Sequence, residues 1–276
     1  MKQQVLFIFI IIAMAASFVD EKEMLKSMNR SQAVKKGYNI FSCGHSENTE
    51  LNELNNLLKE SCIVLHNVLL TGHHTLPFSD IFVTHKKGDT STSIMDPFRA
   101  QCKYADIPSS HPVYDILTTT LELLQKSLQL QYGIVEENME IDNVVILRSY
   151  PYGSHQETHL DMNVYQWGLP FHKTPFFGIV ALQRKTRLAI NWSATNHFRN
   201  HDATTGYDIP LYHANVEEVK LEAGQGVLVK VEVAHFGVGY NHLNFRIHFT
   251  LTPKEVNEYE LDPDLVQTND IVFFSK

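Results

Sequence analysis

From Val144 to Thr252 the chain alternates short apolar runs with turn-rich breaks, and that rhythm leaves few folds open. Val144–Leu147, Pro175–Leu182, Arg187–Trp192, Val216–Leu221, Gly226–Val233 and Asn244–Thr252 read as strands. Pieces such as Asp202–Gly206 and Glu222–Gly226 separate them. Many short strands at this spacing predict a sandwich or barrel. A double-stranded β-helix, or jelly roll, is the specific expectation.

Within that region four residues form an ordered set. His159 and Asp161 are two positions apart, so on a strand both side chains face one way. An imidazole and a carboxylate held side by side make two thirds of a facial metal triad. His235 follows 74 residues after Asp161 and completes it, leaving coordination positions for substrate and dioxygen. It ends the run Gly226–His235 and shares parity with Val229, Val231 and Val233. If those valines line a barrel, His235 points inward too. Arg246 comes 11 residues later, in phase with Asn244, His248, Thr250 and Thr252, while Phe245, Ile247, Phe249 and Leu251 make the other face. A polar stripe backed by a solid apolar face fits a strand that lines a cavity. With 15 His in the chain, a lone His-x-Asp carries little weight. The order of all four carries more.

The lead-in Ser149–Asp161, with Tyr150, Gly153, His159 and Asp161 in place, resembles the prolyl 4-hydroxylase pattern. The whole set, together with Ala223–Gly226 and His235–Gly237, is similar to the iron(II)/2-oxoglutarate-dependent dioxygenases over roughly residues 144–252. The resemblance implies iron(II) on His159, Asp161 and His235, and 2-oxoglutarate chelating the metal through its keto and near carboxylate oxygens. The far carboxylate falls to Arg246, whose planar fork suits it, with Tyr150 adding a hydrogen bond. The implied reaction consumes O2, forms succinate and CO2, and hydroxylates a protein side chain or small molecule. Gln156 stands where the prolyl 4-hydroxylases have Tyr, and Arg246 where they usually have Lys, which moves the chain toward other branches of the superfamily. Related halogenases lack the acid, so Asp161 favours hydroxylation. Two rivals keep the fold: a secreted jelly-roll binding module, and a cupin-like metalloenzyme that does not use 2-oxoglutarate. An intact triad argues against the first and a cation near the metal against the second.

The remaining sequence sets the context. Met1-Lys2, the apolar run Val5–Ala16 and the small residues Ala13 and Ala15 read as a signal peptide over residues 1–19, directing the chain to the secretory pathway. The run is too short to predict a stable membrane span. A net charge of −8 argues against a nucleic-acid partner. Residues 20–45 read as a linker or arm. A single catalytic domain is expected over 46–253, with helical support in 46–140 and the jelly-roll core in 141–253, followed by a tail over 254–276. Glu47–Glu60 reads as a helix, Cys62–Leu70 as a strand, Lys86–Ser93 as a loop, and a second helix opens at Pro112. Cys43, Cys62 and Cys102 allow at most one disulfide. Asn29-Arg-Ser31 and Asn191-Trp-Ser193 are glycosylation sequons.

Overall fold

The computed structural model describes residues 37–41, 48–87, 90–132, 139–156, 158–160, 175–195, 215–254 and 271–274. Helix α1, Thr49–Gly72, begins where the Asn48 side chain accepts from the Leu51 N–H at 3.1 Å. That bond satisfies one of the donors a helix start leaves open. Its buried positions are Leu51, Leu54, Leu58, Ser61, Cys62, Leu65 and Leu69, a stripe at three- and four-residue spacing. The expected strand over Cys62–Leu70 is therefore the second half of this helix. The run looked like a strand because Ile63, Val64 and Leu70 are apolar on the exposed face and fill the gaps in the stripe. Helix α2, Pro112–Tyr132, begins at the expected proline. It packs on α1, with the Ser61 and Thr120 hydroxyls meeting at 2.8 Å in a buried contact.

The strands are β1 Tyr38–Phe41, β2 Ser79–Lys87, β3 Thr90–Lys103, β4 Met139–Ser149, β5 Phe176–Ala181, β6 Thr186–Asn191, β7 Val216–Leu221, β8 Gly226–Lys230, β9 His235–Gly237, β10 Asn244–Pro253 and β11 Ile271–Phe274. Eight form a sheet in the order β1-β8-β5-β10-β4-β3-β2-β11, and three form a second sheet, β7-β6-β9. This is the expected jelly roll. The two faces of the large sheet feed two cores. Phe245, Ile247, Phe249 and Leu251 of β10 pack with Leu58, Leu65, Leu117 and Leu124 of the helices. Phe177, Ile179 and Ala181 of β5 pack inside with Val227 and Val229 of β8 and Leu188, Ile190 and Val219 of the small sheet. Gly178 lies under the Phe249 ring, and a Cβ there would stand 2.1 Å from Phe249 Cζ.

Several expectations change. Tyr38–Phe41, read as part of an arm, is an edge strand antiparallel to β8, with Phe41 opposite Gly226. Of Lys86–Ser93, read as a loop, the described residues are strand: Lys86 and Lys87 end β2 and Thr90–Ser93 begin β3, with Lys87 opposite Thr90. These two strands sit within the stretch read as helical support. Ile271–Phe274, in the unassigned tail, runs parallel to β2. The expected continuous run from Gly226 to His235 also breaks: β8 ends at Lys230, a turn closes through Val233 N–H to Lys230 O at 2.9 Å, and β9 joins the other sheet. Among the described residues no helix is long and apolar enough to cross a membrane.

Candidate active site

The turn at residues 231–234 carries His235 from the large sheet to the small one, where it meets His159. Each backbone N–H donates to the other's carbonyl, at 2.9 and 3.0 Å. The two rings lie 4.5 Å apart, centroid to centroid. His159 is 2% exposed and His235 3%, so both imidazoles stand inside the protein. The His235 Nδ1 is 3.0 Å from the Val233 carbonyl oxygen. A carbonyl only accepts, so Nδ1 is the donor, which leaves Nε2 as the nitrogen that can ligate a metal. Asp161 lies outside the described residues. Among those residues no three His, Cys, Asp or Glu side chains gather into a metal-binding group, so the two imidazoles are the described part of the expected triad. Imidazole nitrogen suits iron and other first-row metals, and the pair fits that group.

The wall behind the imidazoles is aromatic. The Phe177 ring lies 4.1 Å from His235 and 5.7 Å from His248, nearly parallel to the second. Thr250, His248 and Arg246 of β10 stand opposite Phe177, Ile179 and Ala181 of β5. Those β5 residues belong to the inner core, so the polar stripe of β10 faces the same interior. The parity expected for Arg246 holds.

Arg246 is buried. Its Nη1 donates to Ser149 Oγ at 2.8 Å and, more loosely, to Asn244 Oδ1 at 3.4 Å. Neither partner carries charge. Burial pulls its pKa down; the nearby Arg99 charge pulls the same way, while Tyr240 and Asp96 oppose it. A buried guanidinium with neutral partners is a site that gains from an anion.

Tyr150 is placed elsewhere. It is 38% exposed and accepts a hydrogen bond from Arg148 Nη2. The Arg148 guanidinium stacks on the Phe78 ring at 4.1 Å and the Tyr150 ring at 4.8 Å. Ser149 turns its hydroxyl toward Arg246, so its neighbour Tyr150 falls on the helix side of the sheet. The structure does not bring Tyr150 to the histidines. Lys230 pairs with Glu232 at 3.9 Å.

A further buried cation, Arg99, is not signalled by the sequence motifs. Arg99 on β3 pairs with Asp96 at 3.0 Å, both side chains nearly inaccessible. The only signal available was an Asp and an Arg three residues apart in a run that otherwise alternates like a strand. Asn191, the sequon residue, is also buried. Its side chain donates to Thr158 Oγ1 at 3.2 Å and accepts from the Ala194 N–H at 3.0 Å.

His159, bridged to His235 on β9, and Arg246 on β10 thus place an imidazole pair and a buried arginine inside a jelly roll. No protein-family model matches this chain. No curated protein matches it either. Solved structures do. HygX from Streptomyces hygroscopicus, with nickel and 2-oxoglutarate bound, aligns at 12% identity over 94% of this chain and 98% of its own, with a TM-score of 0.50. The non-heme alpha ketoglutarate dependent carbocyclase SnoK from nogalamycin biosynthesis aligns at 13% identity over 90% and 94%, with a TM-score of 0.48. AviO1 from Streptomyces viridochromogenes Tue57 aligns at 12% over 84% and 98%, also at 0.48. The likeness to HygX shows the jelly-roll fold for this chain.

Proposed function

We propose that this protein is an iron(II)- and 2-oxoglutarate-dependent dioxygenase that hydroxylates a protein side chain or a small molecule, releasing succinate and CO2. The observation that carries the reading is the buried, hydrogen-bonded pairing of His159 with His235 on one wall, with Arg246 on the facing one. His159 and His235 hold the metal with Asp161. The Val233 carbonyl keeps His235 in the ligating tautomer. Iron(II), when bound, supplies the activation of dioxygen that no side chain here can provide. Arg246 binds the far carboxylate of 2-oxoglutarate, and Ser149 and Asn244 aim its guanidinium. Phe177 seals the floor between His235 and His248 and excludes water. A cupin-like metalloenzyme without 2-oxoglutarate has no use for this arginine.

We place the reaction in the secretory pathway, on the apolar segment Val5–Ala16 behind a basic start. N-terminal sequencing of material from a secretory host tests this, with a mature start expected near residues 16–19; an intact Met1 would remove the assignment. The activity is tested by anaerobic iron(II) titration with and without 2-oxoglutarate, followed by admission of oxygen. One equivalent of iron, iron-dependent 2-oxoglutarate binding and oxygen-dependent succinate are expected. Iron binding with no 2-oxoglutarate binding would hand the fold to the cupin-like reading.

A further inference from the structure

We propose that Arg99 is a positioning residue that sets the separation of His159 and His235 by tying together the two segments that carry them. The inference rests on reading those imidazoles as metal ligands. Arg99 Nη2 donates to Ser154 O at 2.8 Å and to Gly237 O at 3.1 Å. Ser154 lies five residues before His159, and Gly237 two residues after His235. One guanidinium edge thus holds the chain entering the first ligand and the chain leaving the second. Gln156 closes the same joint, its N–H donating to Gly237 O at 2.9 Å and its Oε1 accepting from the Gly237 N–H at 3.0 Å.

The clasp is anchored in the large sheet and acts on the small one. Arg99 stands opposite Ser149 across β3 and β4, and Arg246 hydrogen-bonds the same Ser149. Asp96 fixes the other side of the guanidinium through Nη1 at 3.0 Å, and is itself held by the Phe98 N–H at 2.9 Å. The Arg99 Nε is buried with no hydrogen-bond partner among the described residues, and the head group takes its orientation from Asp96 and the two carbonyls. Gly237 lets all of this meet: a Cβ there would stand 2.3 Å from Gln156 Oε1 and 3.4 Å from Arg99 Nε. A flat fork that joins a carboxylate to two carbonyls is a task for arginine, since an ammonium is a point charge without that geometry. Metal ligands must be held within about 0.5 Å of their working positions. Arg99 and Gln156 supply that constraint along the pair of segments, beyond the single bridge at the histidines themselves.

The test is calorimetric titration of the full chain with iron(II) under anaerobic conditions, for wild type, Arg99→Met, Arg99→Lys and Gln156→Ala. Thermal unfolding of the metal-free samples runs alongside. Loss of a group that orients metal ligands weakens metal binding about 10- to 100-fold. That range is expected for Arg99→Met, with a smaller loss in Arg99→Lys and Gln156→Ala. A lower melting temperature with metal affinity unchanged makes Arg99 a fold-stabilising residue alone and overturns the proposal. If Arg99→Met fails to unfold cooperatively, the other two variants decide: weakened iron binding in both sustains the proposal, and wild-type affinity in either overturns it. If wild type binds no iron, the metal reading falls and takes the proposal with it. Wild-type binding matched by Arg99→Met removes the proposal alone.

Discussion

Arg246 separates the dioxygenase reading from its rivals, because among the described residues its buried guanidinium donates to a hydroxyl and an amide oxygen and to no carboxylate. Arg246→Ala should weaken 2-oxoglutarate binding by roughly a hundredfold or more, by analogy with other broken buried charge pairs. Arg246→Lys keeps the charge, loses the fork and should fall between. Iron affinity should stay at the wild-type value in both. Equilibrium binding to iron-loaded, oxygen-free protein measures this, and full affinity in Arg246→Ala would leave Arg246 a strand residue only. Residues of this kind were legible because strand parity is strict: Arg246 faces inward with His248 and Thr250 as the alternation requires. His235 was legible for a poorer reason. Its parity with Val229 was counted through a turn, and it reaches the interior from the other sheet. Tyr150 was misjudged because it sits one residue past Ser149, where alternation sends it outward. Arg99 is hard to read because, beside Asp96 three residues away, its partners are backbone carbonyls, which leave no mark in a sequence. The Asn191 sequon is legible in the sequence, but a buried asparagine held by Thr158 and Ala194 has no room for a glycan in the folded state. Peptide mapping of secreted, active protein should find Asn191 unmodified; an occupied Asn191 in such protein would contradict its burial.

At the scale of elements, α1 gives the sharpest test. In a strand Ile63 and Leu65 would share a face; in a helix they stand about 200° apart. Ile63 is exposed and Leu65 fully buried. Ile63→Lys should therefore change stability by no more than about 0.5 kcal/mol, while Leu65→Ala should cost about 2–5 kcal/mol. Urea unfolding of both variants decides, and similar losses would restore the strand. The β5–β10 contact is equally specific. Gly178→Ala drives a methyl into the Phe249 ring, 2.1 Å from its Cζ, and should cost about 1–3 kcal/mol. A neutral Gly178→Ala would mean the ring has room to move. Strands with uniform burial or clean alternation were readable, as in β5, β7 and β10. Elements whose exposed face is also apolar, as in α1, or whose residues are individually turn-like, as in the β2–β3 hairpin, were not. In each case the deciding fact is pairing or packing with another segment, which the residues' own composition does not record.

The whole molecule bears a signature of its thiols. Cys62 lies fully buried between α1 and the sheet, and Cys102 is buried on β3; neither forms a disulfide. Burial pushes the Cys62 thiol up to about 12, against a small opposing effect from the Gly224 backbone. Burial, with Asp106 adding to it, pushes Cys102 up to about 11. An unfolded thiol titrates near 8.5. Between about pH 9 and pH 12 the unfolded chain releases the Cys62 proton while the folded chain keeps it. The unfolded state then binds fewer protons, so stability falls as pH rises, by at most about 1.4 kcal/mol per pH unit from this thiol. Below that window both states hold the proton and the contribution is flat. Cys102 acts in the same direction over a narrower range. The Tyr38 phenol adds to it at still higher pH, raised by burial and by its 2.6 Å bond to Glu217. Cys62→Ala removes the thiol and leaves a small cavity, which lowers stability at every pH but takes one source of slope away. Urea unfolding of reduced protein at half-unit steps from pH 8 to pH 11 should show a shallower alkaline decline in Cys62→Ala than in wild type. Parallel declines would mean that the Cys62 thiol titrates alike in both states, and that the interface between α1 and the sheet is open to water.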